Sequence, residues 1–285
     1  MGNIMDLFSP VDVANVKFNI GSIKEICERI KNVQNAVGGR PTLKAKVGSG
    51  GVKVFTVTNG NRDIVVESFQ GIIIAQHKSY ALFKSADGEN ENVNTPPVCS
   101  SVDGITGIIA ETGERRDCES CPYNIFGSAE KGGGKACKNM HRLYILVEGC
   151  PVPVTLSIPP TSLEMWRNYA IMDIAAAGFE MNEILTEFSL TNEVNKDGQK
   201  YSVVNFKMVG KVSPEVKNFC ESMGISIEQS PRPAIEADEY NREPTEIIQQ
   251  DDEDIPEDVA SDLGSGLDEI IENEDEPEEI DFDNL

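Results

Sequence analysis

The chain of 285 residues is short of what most enzymes and membrane proteins require. It has two histidines, His77 and His141, and one tryptophan, Trp166. Neither histidine stands in a G-x-S-x-G, H-E-x-x-H or H-x-E setting, so the common hydrolase, metalloprotease and deaminase patterns are missing. Gly132-Gly133-Gly134-Lys135 is not a phosphate loop. Ala129 occupies the place of the first glycine, and Ala136 that of the metal-binding hydroxyl. No apolar run approaches the ~20 residues that span a bilayer. The start, MGNIMDLFSPVDV, lacks the basic and apolar regions of a signal peptide, and Asp6 stands where a myristoylation signal needs Ser or Thr. These features lead us to expect a cytoplasmic protein that is not an enzyme. Seven cysteines, an odd number, argue against a secreted disulfide framework.

Acid is what the chain has in excess, and it is unevenly placed. Residues 236–285 carry 22 acidic residues against one basic, a net −21. The preceding 235 residues carry 26 against 24, a net −2. We therefore expect a nearly neutral globular body with a disordered acidic tail at 230–285, entered through an extended hinge, SPRPA, at 230–234. The tail ends EEIDFDNL. Ile280, Phe282 and Leu285 there are candidate anchors for a partner protein, because a mere solubility tail needs no ring at its tip.

Four cysteines fall within 95–146: Cys99, Cys118, Cys121 and Cys137. Cys118-Glu119-Ser120-Cys121 is a C-x-x-C, which offers two soft ligands from one tight turn, and Cys99 and Cys137 flank it. We read the set as a structural zinc site on a loop at 95–141. A closed thiolate set leaves no open coordination position for catalysis. His141 is an alternative fourth ligand to Cys99. Cys99 is favoured because His141 opens the strand that follows. Cys27, Cys150 and Cys220 sit singly in apolar patterns and read as small core residues.

Periodicity predicts a mostly β, α+β body at 21–229 behind an arm at 1–20. A helix is expected over 22–37, from Ile23, Ile26, Cys27, Ile30, Val33 and Val37. Strands are expected at 43–47, 52–58, 63–76, with a bend or bulge at Gly71, and 78–84, then at 142–147 and 152–158. A capped helix after Pro159-Pro160, a hairpin at 183–192 and 199–209, and a helix at 214–223 complete it. A meander of short twisted strands is the pattern of a small barrel.

A single-strand binder needs cations along a groove and rings on which bases stack. The basic residues cluster as Lys44, Lys46 and Lys53 on the first hairpin, and as Arg115, Arg116, Lys131, Lys135, Lys138 and Arg142 in or beside the cysteine loop. Phe55, Tyr80, Tyr123 and Phe126 are interleaved with them. Tyr123 and Phe126 stand out because loops rarely bury large rings. A polyanionic tail could occupy such a groove until nucleic acid displaces it.

The chain resembles replication single-stranded-DNA-binding proteins of phages. The resemblance rests on the acidic EEIDFDNL end and on a block covering about a quarter of the chain. The block reads Pro96-Pro97-Val98-Cys99, Cys118 to Pro122, Phe126-Gly127-Ser128, Gly134 to Lys138, Arg142 to Leu146 and Pro159 to Leu163. Phage helix-destabilising proteins are similar in plan, although their zinc set includes a histidine. The resemblance implies an OB-like barrel with flanking helices and the four cysteines as ligands of a structural Zn²⁺. It also implies sequence-independent binding of single-stranded DNA, and a tail that recruits replication and recombination proteins. Two other classes stay open from the residues alone: a DNA-mimicking interaction or anti-defence protein, and a zinc-dependent nucleic-acid enzyme.

Overall fold

The computed structural model describes residues 13–37, 42–48, 50–58, 62–83, 96–129, 133–195, 198 and 200–236. These belong to one compact unit, Met1–Thr245. The expected tail, with Ile280, Phe282 and Leu285, lies outside the described residues apart from its first segment, as does Lys131.

The body is α+β and mostly β. Eleven strands share one sheet: β1 (Leu43–Val47), β2 (Phe55–Thr58), β3 (Asp63–Val66), β4 (Ser68–Leu82), β5 (Cys99–Ser101), β6 (Thr106–Ile109), β7 (Arg115–Asp117), β8 (Cys137–Leu146), β9 (Val154–Ile158), β10 (Ile184–Val194) and β11 (Lys200–Lys211). The order is β3-β2-β1-β9-β8-β4-β5-β6-β7, with β10 paired to both β4 and β11. All pairings are antiparallel except β1 with β9. Three helices are added: α1 (Gly21–Val37), α2 (Leu163–Asn168), which continues as a π-helical stretch, Tyr169–Ala175, and α3 (Pro214–Glu228). Among the described residues no helix is long and apolar enough to cross a membrane.

β4 is the axis of the fold. Two strands were expected at 63–76 and 78–84, but one strand runs through His77 to Leu82. The break lies earlier, at Glu67, where the chain exchanges one partner, β2, for another, β10. The irregularity expected at Gly71 lies slightly further on, as a register shift between Ile73 and Ala75. Because β3 meets β4 across one residue, the path β3-β2-β1-β9-β8-β4 begins and ends on the same continuous run of chain.

The register of β4 against β8 shifts between Ile73 and Ala75. A one-residue shift reverses which face each later side chain takes. Ile72 and Ile74 pack on the α3 side, and after the shift Ala75 does so as well, while Ile73 joins the opposite cluster. That opposite cluster is the larger core. Phe55, Leu143, Ile145, Leu156, Phe188 and Val204 meet Trp166, Tyr169 and Ile174 of the α2 segment there. Phe69 stacks on Phe188 at 4.9 Å. The second cluster lies between the other sheet face and α3. Residues 13–20, expected as a loose arm, help to close it: Phe18 and Ile20 are buried, and Val16 N–H donates to the Lys211 carbonyl at 2.9 Å.

α3 has Ser213 as its N-cap, accepting from Val216 N–H, and Pro214 at its first position. It extends five residues past the expected end at 223, because Gly224 and Ile227 are buried against the sheet. A Cβ at Gly224 would stand 2.1 Å from the Ile74 carbonyl oxygen. The obstacle is backbone and cannot rotate away. Gly224→Ala is therefore expected to destabilise the protein by about 1–3 kcal/mol, despite alanine's better helix propensity. Urea unfolding followed at Trp166 measures this, and an unchanged midpoint would contradict the close packing of α3.

Candidate nucleic-acid interface

Cross-strand register collects the basic residues of the first hairpin and those of β8 on one sheet face. His77 stands opposite Arg142, and Arg142 opposite Ser157. Two residues along the same face, Tyr144 stands opposite Thr155, Thr155 beside Lys44, and Lys44 and Lys46 opposite Thr58 and Thr56. Directly opposed residues share a face. Cations and hydroxyls therefore form a band across β8, β9, β1 and β2. The alternate residues, Ala45, Leu143 and Leu156, go to the core. The alternation in LKAKV and FTVT is the sequence origin of this sorting.

The other expected contacts separate into exposed and buried. Phe55, expected as a stacking ring, is fully buried and packs edge-on against Phe69 at 5.1 Å. It points to the core face of β2 and cannot meet a base. Lys53 is exposed just before β2. Arg142 is buried, with its guanidinium donating to backbone carbonyls at 233 and 234. Lys138 is half-buried and donates to the Lys135 carbonyl. Tyr80 is half-buried in the wall of the cysteine pocket.

The cysteine region is a lobe of three short antiparallel strands, β5 to β7, attached to the end of β4 through the β4–β5 pairing. A loop of strands was not expected there, because the strands have three or four residues each and few apolar ones. Asp103 orders its first turn by accepting from Ile105 N–H, Thr106 N–H and the Ser101 hydroxyl. These bonds hold its carboxyl below the usual carboxylate range, against a desolvation that acts first in the opposite direction. Asp117 accepts from the backbone and hydroxyl of Ser120, at 2.8 and 2.6 Å, which folds the C-x-x-C into a tight turn. Asn124 closes the turn by donating to the Cys118 carbonyl at 2.7 Å.

All four cysteines line one pocket, with Tyr80, Gly107, Arg116 and Asn124. A Cβ on Gly107 would lie 3.0 Å from the Cys99 sulfur and 3.6 Å from that of Cys118, so the glycine leaves room where two thiols meet. Burial, then the neighbouring Cys118, Cys121 and Cys99, push the Cys137 thiol up to about 12. Cys99 and Cys118 are likewise raised, first by burial. The four sulfurs thus share one electrostatic environment, and a divalent cation would invert its effect by stabilising the thiolates. The donor set suits zinc, and the cradle has space at Gly107. Among the described residues, however, no group of three or more His, Cys, Asp or Glu is gathered closely enough to hold an ion as it stands. A zinc reading requires the thiols to close inward.

His141 is not part of this pocket. It lies four residues along β8 from Cys137, about 13 Å for an extended strand. Its Nε2 is 2.7 Å from Gln76 Oε1, and its ring lies 5.5 Å from that of Trp166. A C-x3-H spacing that would converge on a helix diverges on a strand.

The lobe also carries the most open rings. Phe126 is 80% exposed with Lys135 Nζ over its ring at 5.2 Å, and Tyr123 is 44% exposed. Arg115 and Arg116 are exposed on β7, and Arg116 lies 3.7 Å from Glu114. Ile105 and Ile125 are also open. Sequence reasoning missed His77 and Ser79, which are buried on the cationic face. Only the register shift at Ile73/Ala75 turns them that way, and the glycine that hints at an irregularity, Gly71, does not fix its position. No protein-family model, curated protein or solved structure matches this chain.

Proposed function

We propose that the chain is a non-enzymatic, sequence-independent single-stranded-DNA-binding protein of phage-type replication or recombination. The observation that carries this reading is the band of Lys44, Lys46, Arg142, Thr56, Thr58, Thr155 and Ser157 on one face of β8-β9-β1-β2. Strands arranged as β4, β8 and β9, followed by the α2 segment and β10, fit an OB-like barrel. In such barrels the second and third strands and the loop between the first and second bind oligonucleotides. The second and third strands would be β8 and β9, and the loop would be the cysteine lobe. Tyr123 and Phe126 would supply stacking surfaces, and Cys99, Cys118, Cys121 and Cys137 would hold a structural zinc that keeps the lobe in shape. The acidic tail would compete for the cations and offer Ile280, Phe282 and Leu285 to replication or recombination partners.

The test is fluorescence anisotropy of labelled oligo-dT and of a matched duplex, at several salt concentrations. Oligo-dT should bind more tightly than duplex, and its affinity should fall as salt rises. Phe126→Ala should weaken binding by about 1–3 kcal/mol, the worth of one stacked base. Deleting Glu246–Leu285, a separate unit, should tighten it. Equal affinity for both forms would overturn the single-strand reading. A body that binds neither form, with or without the tail, would favour a protein whose acidic tail imitates DNA.

A further inference from the structure

The chain does not leave the body where the sequence predicted a hinge. After α3, residues 231–236 cross the cationic sheet face as a strap. Arg232 donates to the Val102 carbonyl just past β5, at 3.1 Å. Pro233 and Ala234 carbonyls accept from Arg142 on β8 at 3.0 and 3.5 Å. Ile235 is 4% exposed, packed with Ala81 and Met140 of β4 and β8. Glu236 pairs with Lys44 on β1. Read along the strap, these anchors pass from the β5 side over β4 and β8 to β1, which is the order of the sheet.

The sheet beneath is poorly served by this cover. His77 is 8% exposed, yet its Nε2 has no hydrogen-bond partner, and Ser79 is fully buried with its hydroxyl equally unpartnered. Buried polar atoms of native proteins are nearly always paired, and an orphan is costly. Both follow the register shift onto the face of Arg142, with His77 directly opposite it. Burial, then the guanidinium groups of Arg142 and Arg232, disfavour a proton on His77, which is therefore neutral. The strap provides carbonyls for Arg142, but nothing for the imidazole or the hydroxyl.

We propose that His77, Ser79 and Arg142 form a phosphate-binding subsite for single-stranded nucleic acid, closed by the strap 231–236 and opened when the strap lifts. A phosphodiester oxygen accepts from a neutral imidazole Nε2–H, from a hydroxyl and from a guanidinium. It thus pairs both orphans and replaces the carbonyls that Arg142 loses. The subsite would extend the band of Lys44 and Lys46 toward β4. This inference rests on the single-strand reading above, and it adds a closed state whose population reduces the apparent affinity.

The experiment uses the full chain with δ1-methyl-labelled isoleucine. Adding oligo-dT should move the Ile235 methyl resonance from a buried to a solvent-exposed position. Ile235→Ser should unseat the strap and tighten oligo-dT binding about tenfold, the reciprocal of a closed-state excess of that size. His77→Gln or Ser79→Ala should weaken oligo-dT binding by a similar factor in that background and in the strapped chain, because the bound state engages the subsite in both. Inorganic phosphate alone, at matched ionic strength, should leave the methyl in place. Saturation by oligo-dT with an unmoved Ile235 methyl would overturn the subsite and spare the single-strand reading. Strap release by free phosphate would show a small-anion site in its place. Absence of oligo-dT binding by both the parent and Ile235→Ser would overturn the single-strand reading and this inference with it.

Discussion

If the four cysteines hold zinc as proposed, replacing Cys118 and Cys121 together by serine should abolish zinc binding and open residues 96–137 to protease, while leaving the main core folded. The reasoning starts from how little the lobe buries. Among the described residues between 96 and 136 only Pro97, Ser101, Gly107 and Cys118 are buried, and Val98, Ile105, Ile108, Ile125 and Phe126 stand open. A unit of roughly 40 residues is near the size below which apolar burial alone seldom suffices and metals or disulfides are needed. No disulfide is present among the seven cysteines. Turn bonds from Asp103, Asp117 and Asn124 shape the lobe, but each is worth only about 1 kcal/mol net. A zinc held by four thiolates supplies more than all of these, since structural sites of that kind are folding free energy outright. Trp166 lies in the large core, buried beside Tyr169, so its fluorescence reports the sheet rather than the lobe. The expected result is about one zinc per chain in the parent and almost none in the variant, by elemental analysis. New cleavage should appear near Arg115, Arg116 and Lys135 at an unchanged Trp166 spectrum. A zinc-free parent whose lobe resists protease would contradict the staple.

The same lobe shows where sequence was informative. C-x-x-C and its flanking cysteines mark a shared pocket from spacing alone, because thiols among charged residues have no core to join. The preference for Cys99 over His141 rested on a strand opening at Arg142, whereas the strand opens at Cys137; of the two residues it is Cys99 that lines the pocket. The alternation of LKAKV and FTVT likewise foretold which lysines share a face. The limits are equally physical. Phe55 looked like a stacking ring because an alternating strand has two faces, and sequence cannot tell which of them is inside. The strand through His77 was divided in two because its change of partner at Glu67, and not its composition, sets where it bends. The strap at 231–236 was taken for a hinge because SPRPA has the composition of one. What fixes it is a set of distant partners, Val102, Arg142, Met140 and Lys44, none of which is near it in sequence.

The buried His77 and the half-buried His141 lead to the second large effect, a loss of stability on mild acidification that runs against the overall charge. A chain of net −23 should relax as its carboxylates are neutralised. The two histidines act the other way and at higher pH. Burial, then Arg142, Arg232 and His141, lower His77 to about 3. Burial, then Lys78, lowers His141 to about 4. Unfolded histidine titrates near 6.5. Below pH 6.5 the unfolded chain therefore takes up two protons that the native protein refuses. The unfolded state binds more protons, so stability falls as pH falls, by up to about 2.7 kcal/mol per pH unit for the pair. The window runs from about 6.5 to 4, and His77 alone continues it toward 3. The depressed carboxyls of Asp103 and Glu183 are lost only below the ordinary carboxylate range, beneath most of that window. From pH 7 to 5 the loss comes to about 4 kcal/mol, a large share of the 5–15 kcal/mol typical of a domain. Urea midpoints at pH 7.5, 6.5, 5.5 and 5.0, read at Trp166, measure it. Acid also releases zinc from thiolates, so the histidine share is isolated by His77→Gln and His141→Gln. Each should flatten the curve by about half, since a side chain that does not titrate contributes no slope. An unchanged slope in both variants would mean that these imidazoles protonate in the folded protein as readily as in water.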